Sequence, residues 1–257
     1  MNTPILEFSH VSFGYHPEHP ILQDLSFKIY SGRVTAIMGP NGVGKSTLIK
    51  MVLGWLSPCG GNIYLEGRPI HNFPRRERSR LLSLVPQSEH TPFDYSVLDY
   101  VLMGRAPHLH PLGLPGMVDT QAALLAIEQV GLMNLVNTPV PQLSGGEHQL
   151  MLLARAIVQG ARMLLLDEPT SHLDLHNKAR ILQLMRELRA RGITLLMTNH
   201  EPDVVLALAD DILLMDMHRV PQFGALEQIL TTENLSRVYG LPVRLVEVDG
   251  HKQVIWT

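Results

Sequence analysis

The sequence has a single cysteine, Cys59, so no disulfide can form within the chain, and the reducing cytosol is its natural setting. A lone cysteine of this kind reads as an inert loop thiol. No apolar run approaches the ~20 residues that a membrane helix needs. The first ten residues, MNTPILEFSH, lack the basic start and hydrophobic stretch of a secretory signal. If the function involves a membrane, the spanning part is expected on another chain. Charge of one sign is also missing: the net charge is -3, which gives no bulk attraction to nucleic acid or to an anionic membrane. The basic run Arg75, Arg76, Arg78 and Arg80 reads as a solvated helix face. Aromatics make up only 5% of the chain, whereas hydrophobic residues, chiefly Leu, Val and Ile, reach 45%, the composition of an α/β protein. At 257 residues the chain can bury a substantial core without staples.

The hydrophobic pattern divides into strand and helix periods. Ile5 to Phe13 and Leu25 to Tyr30 alternate as paired strands, with His16, Pro17, Glu18, His19 and Pro20 punctuating the gap. Arg33 to Met38 is an apolar strand that runs into a Gly-rich turn and then a helical pattern from Lys45 to Leu53. A strand is expected at Ile63 to Leu65, a charged helix at Arg75 to Arg80, and a strand at Leu82 to Val85. From about Ser88 to Gln159 the spacing becomes helical, with helices at Val97 to Gly104, Asp119 to Val130 and Gly146 to Gln159. The Pro-, Gly- and His-rich stretch from Ala106 to Met117 should be exposed. Alternation then returns: strands at Met163 to Asp167, Thr194 to Thr198 and Ile212 to Met217, with helices at His176 to Ala190 and Pro202 to Ala209. The tail carries short helices at Leu226 to Leu230 and Glu233 to Val238, and a hairpin turning at Asp249-Gly250. The expected fold is α/β: a phosphate-loop NTPase core with a mainly parallel sheet, N-terminal antiparallel strands and an inserted helical subdomain. The core would occupy about 1–87 and 160–257, and the helical subdomain about 88–159, in one domain.

The chemistry begins at Gly39-Pro40-Asn41-Gly42-Val43-Gly44-Lys45-Ser46-Thr47. Glycines at these positions allow a tight loop whose backbone N–H groups face inward, and the next helix offers its positive end to the same anion. Lys45 can reach the β and γ phosphates, and the Ser46 hydroxyl can ligate magnesium. The apolar strand from Met163 to Leu166 delivers Asp167 and Glu168 at its C-terminal end, the edge where open α/β sheets bind ligands. Asp167 would hold the magnesium and Glu168 would polarise the attacking water. These two features alone fit kinases, helicases and GTPases equally well.

Leu143-Ser144-Gly145-Gly146-Glu147, about twenty residues before Asp167, resembles the signature sequence of the ABC ATPases. The other motifs of that family match in order across essentially the whole chain. By resemblance, Tyr15 stacks on adenine, Gln87 is the Q-loop glutamine that touches magnesium or water, Asp174 closes the D-loop Ser171-His172-Leu173-Asp174, and His200 is the switch histidine. Read by itself, Tyr15 is a core or edge aromatic. The family places Ser144, Gly145, Gly146 and Glu147 against the nucleotide of a second copy, so two chains sandwich two ATP molecules head to tail. Glu147, His172 and Asn199 depart from the commonest residues at their positions without removing a ligand. His108 and His110 lack carboxylate or thiol partners at metal-ligand spacing.

Pro92-Phe93-Asp94-Tyr95-Ser96-Val97, continuing to Val101-Leu102-Met103-Gly104-Arg105-Ala106-Pro107-His108, also resembles the metal-chelate importers. The resemblance implies an ATP-hydrolysing, magnesium-dependent subunit on the cytoplasmic face of the bacterial inner membrane. Its partners would be a second copy, integral membrane permease subunits and, indirectly, a substrate-binding protein, with no nucleic acid. The cargo would be an iron-siderophore, haem, cobalamin or molybdate. Two other readings stand beside it: a soluble ABC ATPase that remodels nucleic acid or a protein complex, and an ATP-binding sensor that does not turn over.

Overall fold

The computed structural model describes residues 3–16, 18, 20–89, 93–217 and 219–256. Pro17 and His19 of the first turn, and Pro92 of the segment compared with the importers, lie outside the described residues. The chain forms two compact units, one of residues 1–74 and 188–257 and one of residues 75–187.

The first unit opens with the long strands β1 (Pro4–Phe13) and β2 (Leu22–Tyr30), paired antiparallel. Their alternation buries Phe8 against Phe27 with ring centroids 4.5 Å apart. β3 (Val34–Met38) is buried at every position, as a central parallel strand must be, and leads through the glycine loop into α1 (Lys45–Val52). β4 (Gly60–Leu65) pairs with the other edge of β1, and β5 (Arg68–Pro69) extends the sheet to the order β2-β1-β4-β5.

The second unit starts with α2 (Arg75–Leu81) and β6 (Leu82–Val85). Its helical part holds α3 (Val97–Leu102), α4 (Met117–Gln129) and α5 (Gly145–Val158), which pack on one another. Ser96 caps α3 through a capping box with Asp99, the role its position before the apolar run predicts. β7 (Met163–Asp167) then lies parallel to β6, and α6 (Leu175–Ala190) carries the chain back into the first unit.

There β8 (Thr194–Asn199) and, after α7 (Pro202–Leu208), β9 (Asp211–Leu214) flank β3 in parallel. β10 (Gln222–Ala225) runs antiparallel to β9; then come α8 (Leu226–Ile229), α9 (Thr232–Tyr239) and the hairpin of β11 (Val243–Val248) and β12 (His251–Trp256). Arg33 fastens the start of β3 to β9 with a two-pronged contact to Asp211, 2.6 and 2.7 Å long. The molecule is thus mixed α/β with mostly parallel core strands and an antiparallel N-terminal sheet, as the alternation of strand and helix periods implies.

The elements differ from these expectations at three places. The helix expected through Gly104 ends at Leu102 and tightens into a 3₁₀ segment at 103–108. Pro107 lacks the N–H that an α-helix would need there, and Gly104 lies so close to α5 that a Cβ would overlap the Arg155 carbonyl. The strand expected through Met217 stops at Leu214. β10, with Gln222 exposed and Phe223, Gly224 and Ala225 half-buried, carries no alternating pattern that the sequence could show.

Candidate nucleotide site

The sequence-predicted site residues fall on both units. In the first unit, the parallel register pairs Met38 of β3 with Asn199 of β8 and with Leu214 of β9. The glycine loop after Met38, His200 after Asn199, and Met215 after Leu214 therefore leave one sheet edge together. Gly42 and Gly44 take left-handed φ values of 82° and 107°. A Cβ on Gly39 would stand 2.5 Å from the Met215 carbonyl oxygen, and one on Gly44 would stand 2.6 Å from Cγ2 of Ile21. Only glycine lets the loop settle this deeply. Val43 packs inward, whereas Asn41 and Gly42 are exposed.

Lys45 opens α1 and is 6% exposed; its Nζ donates to the carbonyl oxygens of Gly39 at 2.9 Å and Pro40 at 3.1 Å. The ammonium is folded inside the loop at the positive end of α1. Ser46 follows on the exposed side, and Thr47 is buried with Oγ1 3.4 Å from the Tyr15 hydroxyl. Tyr15 itself is 55% exposed and meets Phe13 edge-on at 5.1 Å. It is therefore not a core aromatic: its ring is available beside the loop. At the switch position, Asn199 is buried and its Oδ1 accepts the Glu201 N–H at 2.7 Å, turning the chain into α7. The Asn departure thus has a local structural role. The Tyr239 hydroxyl donates to the His200 carbonyl oxygen at 3.3 Å, and burial pushes the Tyr239 phenol up to about 12.

In the second unit, the β6–β7 register pairs Val85 with Leu166, so the Q-loop and the acidic strand end emerge side by side. Gln87 Nε2 donates to Glu168 Oε2 at 3.1 Å. Glu168 holds a left-handed φ of 48°, uncommon for a residue with a Cβ, and its carbonyl accepts from the N–H and the hydroxyl of Ser171. Asp167 is half-buried at the end of β7. His172 also lies in the left-handed region, with φ 61°. Asp174 caps α6 by accepting the Asn177 N–H at 2.8 Å, and these Asn177 hydrogen bonds hold its carboxyl below the usual carboxylate range.

Ser144 is the N-cap of α5, and its hydroxyl donates to Glu147 Oε2 at 2.7 Å in a capping box. The Ser144 hydroxyl and N–H keep the Glu147 carboxyl below its ordinary range. A phosphate at this helix end would have to draw the hydroxyl away from Glu147. Gly145 is open, whereas a Cβ on Gly146 would overlap the Asn177 side chain. Gln87, Ser88 and Glu89 share a cleft of about 510 Å³ with Gly145, His148 and His172. Among the described residues no group of three His, Cys, Asp or Glu side chains could hold a metal by itself.

A glycine loop feeding a helix, beside a parallel sheet edge, together with an acidic strand end, defines a phosphate-loop NTPase. A family model described as ABC transporter matches residues 22–171. The molybdate import ATP-binding protein MolC of Haemophilus influenzae is 38% identical over 239 residues, covering 93% of this chain and 89% of the relative. The hemin import ATP-binding protein HmuV of Hahella chejuensis is 36% identical over 236 residues, with coverage of 89% and 90%. A chain from an inward-facing conformation of a metal-chelate type ABC transporter superposes with a TM-score of 0.87 at 34% identity, covering 99% of this chain and 97% of that one. The protein belongs to the ABC transporter family, as an ATP-binding subunit whose ATPase activity is coupled to transport.

Sequence reasoning missed several contacts around these motifs. The Tyr239–His200 bond carries no local pattern, and a cluster of Arg155, Glu89 and Tyr100 joins residues from three elements. The one available signal was an arginine and a glutamine, Arg155 and Gln159, at helical spacing in an otherwise apolar stretch.

Proposed function

We propose that this protein is the energising subunit of a bacterial importer for a metal chelate or oxyanion, of the class of iron-siderophore, haem, cobalamin or molybdate. The observation that carries the reading is its similarity, over about nine-tenths of its length, to relatives named for molybdate, hemin and ferric enterobactin transport. Among the described residues no helix is long and apolar enough to cross a membrane. The second unit nevertheless exposes Leu112, Leu114, Met117 and Val118, at 94%, 89%, 91% and 77%, near the segment that resembles the importers. An apolar stretch this open fits a surface covered by a permease subunit at the cytoplasmic face of the inner membrane. The proposed helical subdomain, about 88–159, would be the part that docks.

In this reading the backbone N–H groups of residues 39–47 and the Lys45 ammonium hold the phosphates, and Tyr15 stacks on adenine. The oxygen donors Ser46, Asp167 and Gln87 suit magnesium, which when bound would neutralise phosphate charge. Glu168, steadied by Gln87, takes a proton from the attacking water, and His200 contacts the γ-phosphate. Ser144, Gly145, Gly146, Glu147 and Asp174 serve the nucleotide of a second copy, so ATP favours the closed head-to-tail dimer. Closure would pull the permease between access states, and hydrolysis would release it.

The test is to co-purify the chain with its permease and binding protein, reconstitute the complex in vesicles, and measure ATP-driven uptake of haem, a ferric siderophore and molybdate. Uptake of one of them, with hydrolysis stimulated by the permease, is expected. Hydrolysis stimulated by DNA or RNA in a salt-sensitive way, without any membrane partner, would overturn the reading in favour of nucleic-acid remodelling.

A further inference from the structure

Helix α5 carries the signature residues at its first turn and two long polar side chains, Arg155 and Gln159, one turn apart near its end. Both reach the segment 82–89, which is β6 followed by the Q-loop. Gln159 takes the entry side: its Nε2 donates to the Leu82 carbonyl at 2.8 Å and to that of Ser79, and its Oε1 accepts the Ser83 hydroxyl at 2.8 Å. Arg155 takes the exit side: Nη1 and Nη2 grip the two carboxylate oxygens of Glu89 at 2.9 and 2.7 Å. Glu89 lies two residues beyond Gln87, the residue bonded to Glu168.

The Arg155 fork is itself held. Its Nη1 also meets the Tyr100 hydroxyl at 2.6 Å, and its Cζ lies 4.9 Å from the centre of the Tyr100 ring. Tyr100 is only 2% exposed, the side chain of Arg155 is 20% exposed, and that of Glu89 is 36% exposed. Gly104 presses against the α5 backbone at Arg155, with no room for a Cβ. From Gly145 to Arg155 a rigid helix spans ~15 Å, at about 1.5 Å per residue.

We propose that Arg155, Glu89 and Tyr100 form a positioning clamp that holds Gln87 against Glu168 and ties that contact to the signature end of α5. None of the three touches nucleotide: they act through Gln87. A displacement of the signature turn by the second copy's phosphates moves the Q-loop as one piece with the helix. A bidentate, half-shielded pair suits this role, because its planar fork fixes orientation as well as distance. The proposal rests on the reading of Gln87 and Glu168 as hydrolytic groups.

The experiment measures steady-state ATP hydrolysis by the full chain and by Glu89→Gln, Arg155→Lys, Tyr100→Phe, Gln87→Ala and the double variant Glu89→Gln/Gln87→Ala. Melting temperatures are recorded in parallel. Glu89→Gln and Arg155→Lys are expected to lower kcat on the order of tenfold with KM for ATP unchanged, the size expected when a charge-assisted contact is weakened. Tyr100→Phe, which removes only the hydroxyl, should lower kcat less and keep the melting temperature. The double variant should hydrolyse no more slowly than Gln87→Ala alone, because the clamp acts through that side chain. Wild-type kcat in Glu89→Gln, or losses that multiply in the double variant, would overturn the clamp while leaving the site intact. Wild-type rates in Gln87→Ala would overturn the hydrolytic reading on which it stands.

Discussion

Three alanine substitutions in the phosphate loop should differ in cost, because an added methyl group meets different surroundings at each. At Gly42 the nearest atom to a new Cβ is Met217 Cε at 4.0 Å, so the cost is only the left-handed backbone at φ 82°. That is about 1–2 kcal/mol for an L-residue. At Gly44, φ 107° brings the same strain, and the methyl group also lands 2.6 Å from Ile21 Cγ2. A side-chain tip can turn away, which adds about 1 kcal/mol. At Gly39 the obstacle is the Met215 carbonyl oxygen at 2.5 Å, with Met215 Cβ and Val43 Cγ1 both at 3.1 Å. That carbonyl follows β9, whose neighbour is β3, so relief requires the sheet edge to move. The expected cost is about 3 kcal/mol or more. At roughly 2–4 °C per kcal/mol for a chain of this size, Gly42→Ala melts a few degrees low and Gly39→Ala about 6–12 °C low. Differential scanning fluorimetry with and without ATP reads both fold and binding, because a bound ligand raises the melting temperature. Gly39→Ala should lose the ATP-dependent rise as well as stability, since the loop can no longer seat. If Gly39→Ala melts with Gly42→Ala and still responds to ATP, the reasoning from the Met215 carbonyl is wrong.

Three further outcomes follow from contacts elsewhere. Replacing Arg33 by Ala leaves the largely buried Asp211 carboxylate without its two-pronged partner, and should cost about 1–2 kcal/mol, with Arg33→Lys recovering only part; equal melting of the three proteins would refute this. Burial alone would raise the Glu89 carboxyl, but its hydrogen bonds and charge contact with Arg155 outweigh that and hold it below its ordinary value. A depressed carboxyl adds stability above its unfolded pKa of about 4.3 and loses it as pH falls through the folded value, so wild type should lose its melting advantage over Glu89→Gln below about pH 4; a gap independent of pH would contradict it. Gly146→Ala drives a methyl group into the Asn177 amide, so it should lower the melting temperature, and Asn177→Ala in the same chain should restore most of the loss.

Much of this architecture is legible in the sequence because short-range physics dictates it. The glycine spacing at 39–44, the apolar strand before Asp167 and Ser96 before its apolar run each bring their own local cause, and the structure has elements there. What escaped depends on contacts between distant residues. Gly104 is pressed against the α5 backbone at Arg155, about fifty positions on, and Asn199 proves to be a turn-former only once its side chain is seen to accept the Glu201 N–H. Ser144, which the family places against the nucleotide of a second copy, is also the N-cap of α5, its hydroxyl donating to Glu147 three residues along, a capping box spelled out in the same five letters.

In the proposed function Glu168 drives hydrolysis inside a dimer that ATP closes. Glu168→Gln keeps the size and the hydrogen bond with Gln87 but removes the base. Size-exclusion chromatography with light scattering, run with ATP and magnesium alongside a phosphate-release assay, reads both dimer closure and hydrolysis. This variant is expected to elute as a dimer only with ATP and to release phosphate at least about a hundredfold more slowly than wild type, the usual worth of a general base. A variant that stays monomeric with ATP and hydrolyses at the wild-type rate would contradict it.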